Sequence, residues 1–325
     1  MTRRFSGVRK LGCGGPFAGL VLAVLGMCGT PGPAAAEDIS ALSRDFSRQL
    51  YLEQDVPGAY RKFVDANFWQ HDPALADGIA GIEADMQARK ADQTSRDIRF
   101  PRVDVVDRIL VHEDLFVVQH HVFTGPEHTG TAIVDIWRVA NGLIVEHWDV
   151  IQSVPAVLSN HNTMWCGIAN NYQEAKRWRD AALSRPQLDP SCGAPAPPEQ
   201  SEQSLDVGRQ YSMALARNDS RAAVTAFVAS DFLQHSPYMS DGREGLVTYL
   251  ESAMSRYQGG RRSSLTVRTF ADGDLVLTQR HVVSPYKLRG EVFIDIFKVK
   301  NGKIVEHWDI IQDVPPFTVN GRLMW

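Results

Sequence analysis

The chain is short of cysteine, of long apolar runs and of positive charge, and each shortage removes a class of function. Its four cysteines, at positions 13, 28, 166 and 192 of 325, form no Cys-x-x-Cys pair, so dithiol chemistry has no support. No His-Glu-x-x-His segment and no Gly-rich phosphate loop occurs, which leaves metalloprotease and nucleotide chemistry equally unsupported. The main apolar stretch, residues 17–27, is well short of the roughly 20 residues that span a bilayer. With 34 Lys and Arg against 38 Asp and Glu the net charge is −4, so nucleic acid is not an expected partner.

That short stretch follows Arg3, Arg4, Arg9 and Lys10 and precedes Ala34-Ala35-Ala36, with no acid among residues 1–36. The order predicts a secretory signal peptide cleaved after Ala36, hence a periplasmic or secreted protein with no membrane attachment after cleavage. A retained anchor and a lipid-modified Cys28 are rival readings. Losing those four cations takes the net charge from −4 to −8. Arg261-Arg262 reads as a solvated turn. Cys166 and Cys192 stay in the mature chain, where they either close a disulfide or remain as two idle thiols.

What is abundant is repetition. Residues 141–155 return as 301–315 with 12 of 15 positions identical. Phe68-Trp-Gln-His-Asp-Pro reappears as Phe232-Leu-Gln-His-Ser-Pro, and Met164-Trp165 as Met324-Trp325. The offset drifts only from 164 to 160 residues, so the chain is a tandem duplication of one domain and not a solenoid. The expected organisation is a signal at 1–36, domains at 37–165 and 202–325, and a linker at 166–201.

Within the first copy, residues 38–54 and 57–65 read as helices, with Leu42, Phe46 and Leu50 forming one apolar stripe, and a third helix is expected after Gly78. Period-two alternation then predicts strands at 103–111, 115–123, 131–139 and 143–153. Asn141-Gly142 and Asn301-Gly302 mark tight hairpin turns. The second copy repeats this plan, with helices near 203–217, 219–229 and 242–256 and strands over 264–314. Three helices before an antiparallel meander make an α+β fold in each copy. One extra helix is expected at 170–183.

The motifs Gln-His-x-Pro, Asp-Gly-x-x-Gly, Val-Asp-Ile-aromatic and Asn-Gly-x-Ile-Val-Glu-His-Trp-Asp resemble SnoaL-like proteins of the nuclear transport factor 2 superfamily, over nearly all of both copies. They are similar in particular to the subgroup of predicted aldol-condensation enzymes. The resemblance implies a cone-shaped domain with a bent sheet around a pocket, no metal or other cofactor, and pairing through the outer face of the sheet. A duplicated chain can make that pair internally, which predicts an intramolecular pseudo-dimer of the two domains.

The resemblance also turns the aspartate of Val-Asp-Ile toward the pocket. Strand alternation places His147 with Asp149 on one face of the last strand. The expected pocket therefore holds Asp135, His121, His147 and Asp149 in the first copy, and Asp295, His281, His307 and Asp309 in the second. Desolvation can raise a carboxyl toward neutrality and fit it for carbon acid chemistry. On that ground Asp135 and Asp295 are candidate bases, with His121 and His281 as electrophilic partners. His147, Asp149, His307 and Asp309 are candidate substrate contacts. His71 and His235 are candidates for the pocket mouth, or simply turn-fixing residues. A metal held by His71, His121, His147 and Asp149 is an alternative without diagnostic spacing.

The copies differ at His120 and Arg280, Asp72 and Ser236, and Trp137 and Phe297. Residues 125–130 are replaced by 285–290, which bring Lys287 and Arg289. Survival of the candidate base in both copies predicts two competent pockets. Three functions stay open: cofactor-independent enolisation, aldol-type cyclisation or isomerisation of a small carbonyl compound; an exported, non-catalytic binding module for a small apolar ligand; and an assembly domain with a filled core. An exported location does not suit a polyketide cyclase.

Overall fold

A computed structural model describes residues 33–96, 100–217, 219–256 and 263–325. Nearly all of the expected signal peptide, with Cys13 and Cys28, and the Arg261-Arg262 turn lie outside the described residues.

Each copy is an α+β unit around a five-stranded sheet. The first contains α1 (Pro33–Ser47), which runs into a π-helical turn at Arg48–Leu52, then α2 (Val56–Phe63), β1 (Val64–Gln70) and α3 (Gly78–Arg96). It continues with β2 (Val103–His112), β3 (Leu115–Phe123), β4 (Thr131–Ala140) and β5 (Leu143–Ser153), in sheet order β1-β5-β4-β3-β2. Helix α4 (Tyr172–Leu183) follows, and then the second copy: α5 (Ser201–Leu215), α6 (Ser220–Phe227), β6 (Val228–Gln234), α7 (Gly242–Arg256), β7 (Ser263–Asp272), β8 (Leu275–Ser284), β9 (Lys287–Lys300) and β10 (Lys303–Asp313). Its sheet order is β6-β10-β9-β8-β7.

The sheet has one strand more than the alternation pattern predicts. Strands β1 and β6 lie parallel to β5 and β10, so each sheet is mixed. Val64, Phe68 and Gln70 point inward while the residues between them are more open, too short a signal between a helix and the Gln-His turn to read from sequence alone. Asp55 and Asp219 cap α2 and α6 by accepting from the Gly58 and Ala222 backbone N–H groups at 3.0 and 2.9 Å, which satisfies helix-start donors that otherwise lack partners. Asn141 and Asn301 hold φ of 53° and 52° and their glycines 78° and 72°, as a tight β4–β5 or β9–β10 hairpin requires.

Strand alternation divides each sheet into two apolar faces. One packs on the helices: Phe46, Tyr60, Phe116, Val118, Trp137 and Ile144 in the first copy, and Tyr211, Val224, Phe232, Val276 and Ile304 in the second. The opposite faces meet one another in a shared core of Val117, Val134, Ile136, Trp148 and Val150 against Leu277, Ile294, Ile296, Trp308 and Ile310.

The contacts across this core are reciprocal. Arg108 lies over the Trp308 ring at 3.7 Å and Arg268 over the Trp148 ring at 4.1 Å, a favourable placement of a cation on an aromatic face. The Gln312 side chain accepts from the Ile151 N–H at 2.7 Å, and Gln152 from the Ile311 N–H at 2.6 Å. The segment after each sheet crosses to the other copy. Asn160 donates to the carbonyls of Ser236 and Met239 at 2.6 and 2.7 Å, while Asn320 donates to those of Asp72 and Leu75 at 2.6 and 2.9 Å. Cys166 and Cys192 are joined in a disulfide that closes the loop carrying α4 against β2.

Asn160 is buried, and its removal takes a short hydrogen bond from each of two carbonyls, of which Ser236 keeps only a long one from the Met239 N–H at 3.4 Å. Asn160→Ala is expected to cost about 2 kcal/mol of stability by urea unfolding, and Asn320→Ala, at a more open position, clearly less. A cost near zero for Asn160→Ala would show that the crossing segments hold nothing together.

Candidate functional site

Asp135 on β4 and Asp295 on β9 occupy equivalent places on the helix-covered faces, opposite Asp149 and Asp309 on the neighbouring strands. All four are buried. A charge so placed needs a partner, and the two copies supply different ones.

In the first copy Asp135 is enclosed. The Tyr51 hydroxyl donates to its Oδ2 at 2.5 Å, His120 Nε2 meets the same oxygen at 2.9 Å, and His147 Nε2 meets Oδ1 at 3.1 Å. The far side of the His120 ring faces Asp104 at 3.2 Å, and Arg102 pairs with Asp104 at 2.7 Å. Tyr51 reaches this place because of the π-helical turn. Counting back from the equivalent caps, Phe46 lies nine residues before Asp55, whereas Tyr211 lies eight before Asp219; both rings nonetheless pack on the equivalent Trp137 and Phe297, at 4.9 and 5.8 Å. The one extra residue is absorbed as a π-bulge, and Tyr51 stands where the second copy has Leu215.

Burial works to raise the Asp135 carboxyl, but the hydrogen bonds from His120 and His147 outweigh it and hold Asp135 far below the usual carboxylate range. Burial likewise opposes charge on His120, and its bonds to Asp104 and Asp135 override that and push it up to about 9. Asp149 behaves in the opposite way: burial, the neighbouring Asp72 and Asp135 all raise it well above an ordinary aspartate.

In the second copy the same region is open. A cavity of about 1000 Å³ is lined by Tyr211, Leu215, Phe232, Phe293 and Phe297 among others, and Arg280, Asp295, His307 and Asp309 also border it. That is the upper range for pockets that enclose a drug-sized ligand. Arg280 replaces His120 and grips Asp295 Oδ2 through Nε at 2.8 Å and Nη2 at 2.7 Å. His307 Nε2 meets Asp295 Oδ1 at 3.1 Å. Its other nitrogen faces the Gln234 amide oxygen at 3.1 Å, and that oxygen also accepts from the Ser236 N–H at 2.8 Å, which fixes the ring. Burial raises Asp295, yet the Arg280 charge and the His307 bond bring it down to about 2. Asp309 has no such clamp: burial pushes it up to about 6, with His307 lowering it and Asp295 raising it, and its Oδ1 has no hydrogen-bond partner.

The structure brings some of the expected site residues together and separates others. His147 and His307 stand beside the β4 and β9 aspartates. His121 and His281 do not, and their expected electrophilic role is corrected: Asp135 is paired with Val118 in the strand register and Asp295 with Thr278, so the residues sharing their face are His120 and Arg280, two places along. His121 turns to the other face, bonded to Asp107 at 2.9 Å and to the Ala169 carbonyl at 3.0 Å and stacked 4.0 Å from Trp165. His281 stacks 3.6 Å from Trp325.

Asp135 and Asp295, the expected bases, are both clamped by cations that lower them, an environment that disfavours that role. His71 and His235 lie at the crossing segments, not at a pocket mouth. His71 bridges the Leu323 carbonyl and Glu146 at 2.5 and 2.8 Å, and His235 bonds the Thr163 carbonyl at 2.7 Å. His71, His121, His147 and Asp149 therefore do not converge on a metal. Asp295, His307 and Asp309 do bring ligand atoms within 4.8 Å of one another, but the Arg280 guanidinium already bound to Asp295 opposes a cation there. Where two competent pockets were expected, the copies differ: in the first, Tyr51 and His120 occupy the space beside Asp135.

Sequence reasoning missed Tyr51, His120 and Arg280. For Arg280 the visible signal was its substitution for His120 between the copies; the short Pro285-Tyr286 connection does not set its pairing, because the register shifts between Val282 and Ser284.

Residues 207–307 match the model of the SnoaL-like domain, so the second copy contains a SnoaL-like domain. Solved structures with similarity include the LEH-like epoxide hydrolase of M. tuberculosis (23% identity over 34% of this chain and 84% of that one, TM-score 0.28). An NTF-2 like protein of unknown function from Burkholderia xenovorans LB400 gives 21%, 37%, 89% and 0.29 in the same order. IdmH of Streptomyces antibioticus, a candidate polyketide cyclase, gives 18%, 34%, 91% and 0.29. No curated protein matches the chain.

His120 yields a pH test. Its value in the fold lies above the ordinary 6.5 for histidine, so the stability it contributes is complete below about pH 6.5. That contribution is lost as pH rises through about 9. In thermal melts from pH 6.5 to 9.5, wild type is expected to lose more stability than His120→Gln; parallel profiles would contradict the clamp.

Proposed function

We propose that the second-copy cavity is the active centre of a cofactor-independent acid/base enzyme, acting on a carbonyl compound by enolisation followed by isomerisation or aldol-type cyclisation. The observation that carries this reading is Asp309, a carboxyl buried against an apolar cavity, without a partner on Oδ1 and pushed up to about 6. A carboxyl so poised takes a carbon-bound proton near neutral pH and gives it back. In the proposed step, Asp309 removes a proton from the carbon next to the substrate carbonyl. Electrons from the C–H bond move onto the carbonyl oxygen, and the enolate either regains the proton from Asp309 at another carbon or attacks a second carbonyl of the same molecule, whose oxygen then takes the proton from Asp309. Arg280 supplies the positive charge against which the enolate develops. Asp295 acts as a positioning residue that orients Arg280 and His307. The match of residues 207–307 to the SnoaL-like domain supports this class of chemistry.

The first copy, with Asp135 enclosed, acts as a structural partner, and the two domains, 37–165 and 202–325, form an intramolecular pseudo-dimer supported by the reciprocal contacts across the shared core. Export is supported by the composition of residues 1–36 and by a disulfide, which suits an oxidising compartment. Among the described residues no helix is long and apolar enough to cross a membrane. Protein recovered from a secreting host is expected to begin at Glu37 and to scatter light as a single chain. An uncleaved N-terminus would overturn export, and a dimer would overturn the pseudo-dimer.

The catalytic reading is tested by NMR-detected deuterium exchange next to the carbonyl in a panel of β-keto esters and cyclic ketones. Exchange is expected to rise with pH through about 6, as Asp309 ionises, and to vanish in Asp309→Asn. Because the folded value of Asp309 is raised from 3.8 to about 6, the stability tied to its protonated form is lost as pH rises from the ordinary value through about 6 and is gone above it, so the same variant should melt higher than wild type at pH 7.5. Undiminished exchange in Asp309→Asn would sink the assignment. A panel bound without exchange would favour a non-catalytic small-ligand-binding module.

A further inference from the structure

We propose that the substrate of the second-copy cavity is an apolar molecule that carries a carboxylate, and that Arg280 is the residue that binds it. The inference rests on the reading of that cavity as the substrate site and adds to it the charge of the ligand.

The two copies act as each other's control. Around Asp135 and Asp149 the first copy also carries Asp72 and Asp104, both buried. In the second copy Ser236 and Ser264 take those places, so two carboxyls are lost from the surroundings of Asp295 and Asp309. The same comparison converts His120, a titrating cation held between two aspartates, into Arg280, which stays charged at every working pH. Two negative groups fewer and one permanent positive group shift the balance of the cavity toward accepting an anion.

Geometry makes Arg280 the group that meets it. A guanidinium has five N–H donors in a planar fork, and the side-on pair with Asp295 uses the Nε–H and one on Nη2. Of the remaining three, one on Nη2 and one on Nη1 form the end of the fork, an edge that matches a planar carboxylate. The Arg280 side chain keeps 26% of its surface accessible, against 7% for Asp295 and 4% for His307, so it is the member of the cluster most open to the cavity. Phe293, 5.1 Å from the guanidinium, and Phe297 line the same cavity and offer apolar surface beside the charge. Lys287, the other cation of the lining, is held by Asp313 at 2.5 Å and Glu291 at 3.8 Å and is already neutralised.

A carboxylate next to the carbonyl also suits the proposed chemistry. Taking a proton from an oxo acid builds a second negative charge beside the first, and a fixed guanidinium on the carboxylate lowers that cost.

The test is calorimetric titration of the full mature chain with 2-naphthoate and the neutral isostere 2-naphthamide at pH 7.5. The expected result is a preference for the carboxylate of at least about tenfold. That preference should disappear in Arg280→Gln, persist in part in Arg280→Lys, which keeps the charge if the glutamine variant folds poorly, and be unchanged in Lys287→Gln. Equal affinity for the two probes, no measurable binding of either, or a preference that survives Arg280→Gln overturns the proposal. The readout is binding alone. A chain that prefers naphthoate through Arg280 but exchanges no carbon-bound proton would refute the catalytic reading and leave the anion site standing.

Discussion

A buried aspartate on the second strand of each sheet's central hairpin sets the terms for the rest of the structure. Removing a carboxylate from water costs several kcal/mol unless charge and hydrogen bonds replace the lost solvation. In both copies the compensation begins with the same histidine, His147 or His307, fixed from behind by a glutamine. It ends with a different cation. His120 is short and is itself held by Asp104, and with Tyr51 it encloses Asp135. Arg280 reaches Asp295 side-on and needs no second carboxylate behind it. The choice of cation, together with Tyr51, therefore separates the enclosed Asp135 from the open cavity beside Asp295.

That freedom to diverge depends on the opposite faces. The shared core uses the residues that alternate with the site residues along the same strands: Trp148 between His147 and Asp149, and Ile136 between Asp135 and Trp137. Side chains of successive strand residues point to opposite faces, so a change on the site face leaves the interface untouched. The reciprocal cation and tryptophan contacts, and the segments that each copy sends across to the other, tie the halves together independently of either pocket. One copy could fill its interior while the other stayed hollow, and the common interface did not have to change.

The α+β layout and most helix and strand positions were legible because they rest on periodicity and on turn residues, which are local. The His147–Asp135 contact was legible only in part: alternation along β5 and the family resemblance turn both residues toward the pocket, but the Asn-Gly turn does not fix their pairing, because the register shifts between Arg138 and Val139. The β3–β4 connection in the first copy has no such turn. Residues 124–130 can be threaded in more than one register, and placing His121 in the pocket instead of His120 is the one-residue error that such freedom permits. Strand β1 was hidden because its partner is parallel and distant in the chain. Tyr51 was hidden because a π-bulge breaks the 3.6-residue periodicity by which helix faces are read. The lowered Asp135 and Asp295 values were out of reach as well, since burial alone predicts the opposite direction and only the position of the neighbouring cations reverses it.

The pairing of Asp72 with Asp149 shows how small a change separates the two interiors. In the first copy the two carboxyls lie together, and the second charge resists ionisation because the first is near. With Ser236 in place of Asp72, Asp309 keeps the desolvation that raises it, to about 6, and loses that like-charged neighbour. A lone raised carboxyl beside a clamped, permanently charged arginine is a poised pair of opposite character. The first copy cannot form such a pair, because its cation is spent on Asp135 and Asp104 and its raised carboxyl is coupled to Asp72. The asymmetry between the copies thus follows from three side chains, Asp72, Asp104 and His120, and from the extra residue in the first helix that brings Tyr51 inward.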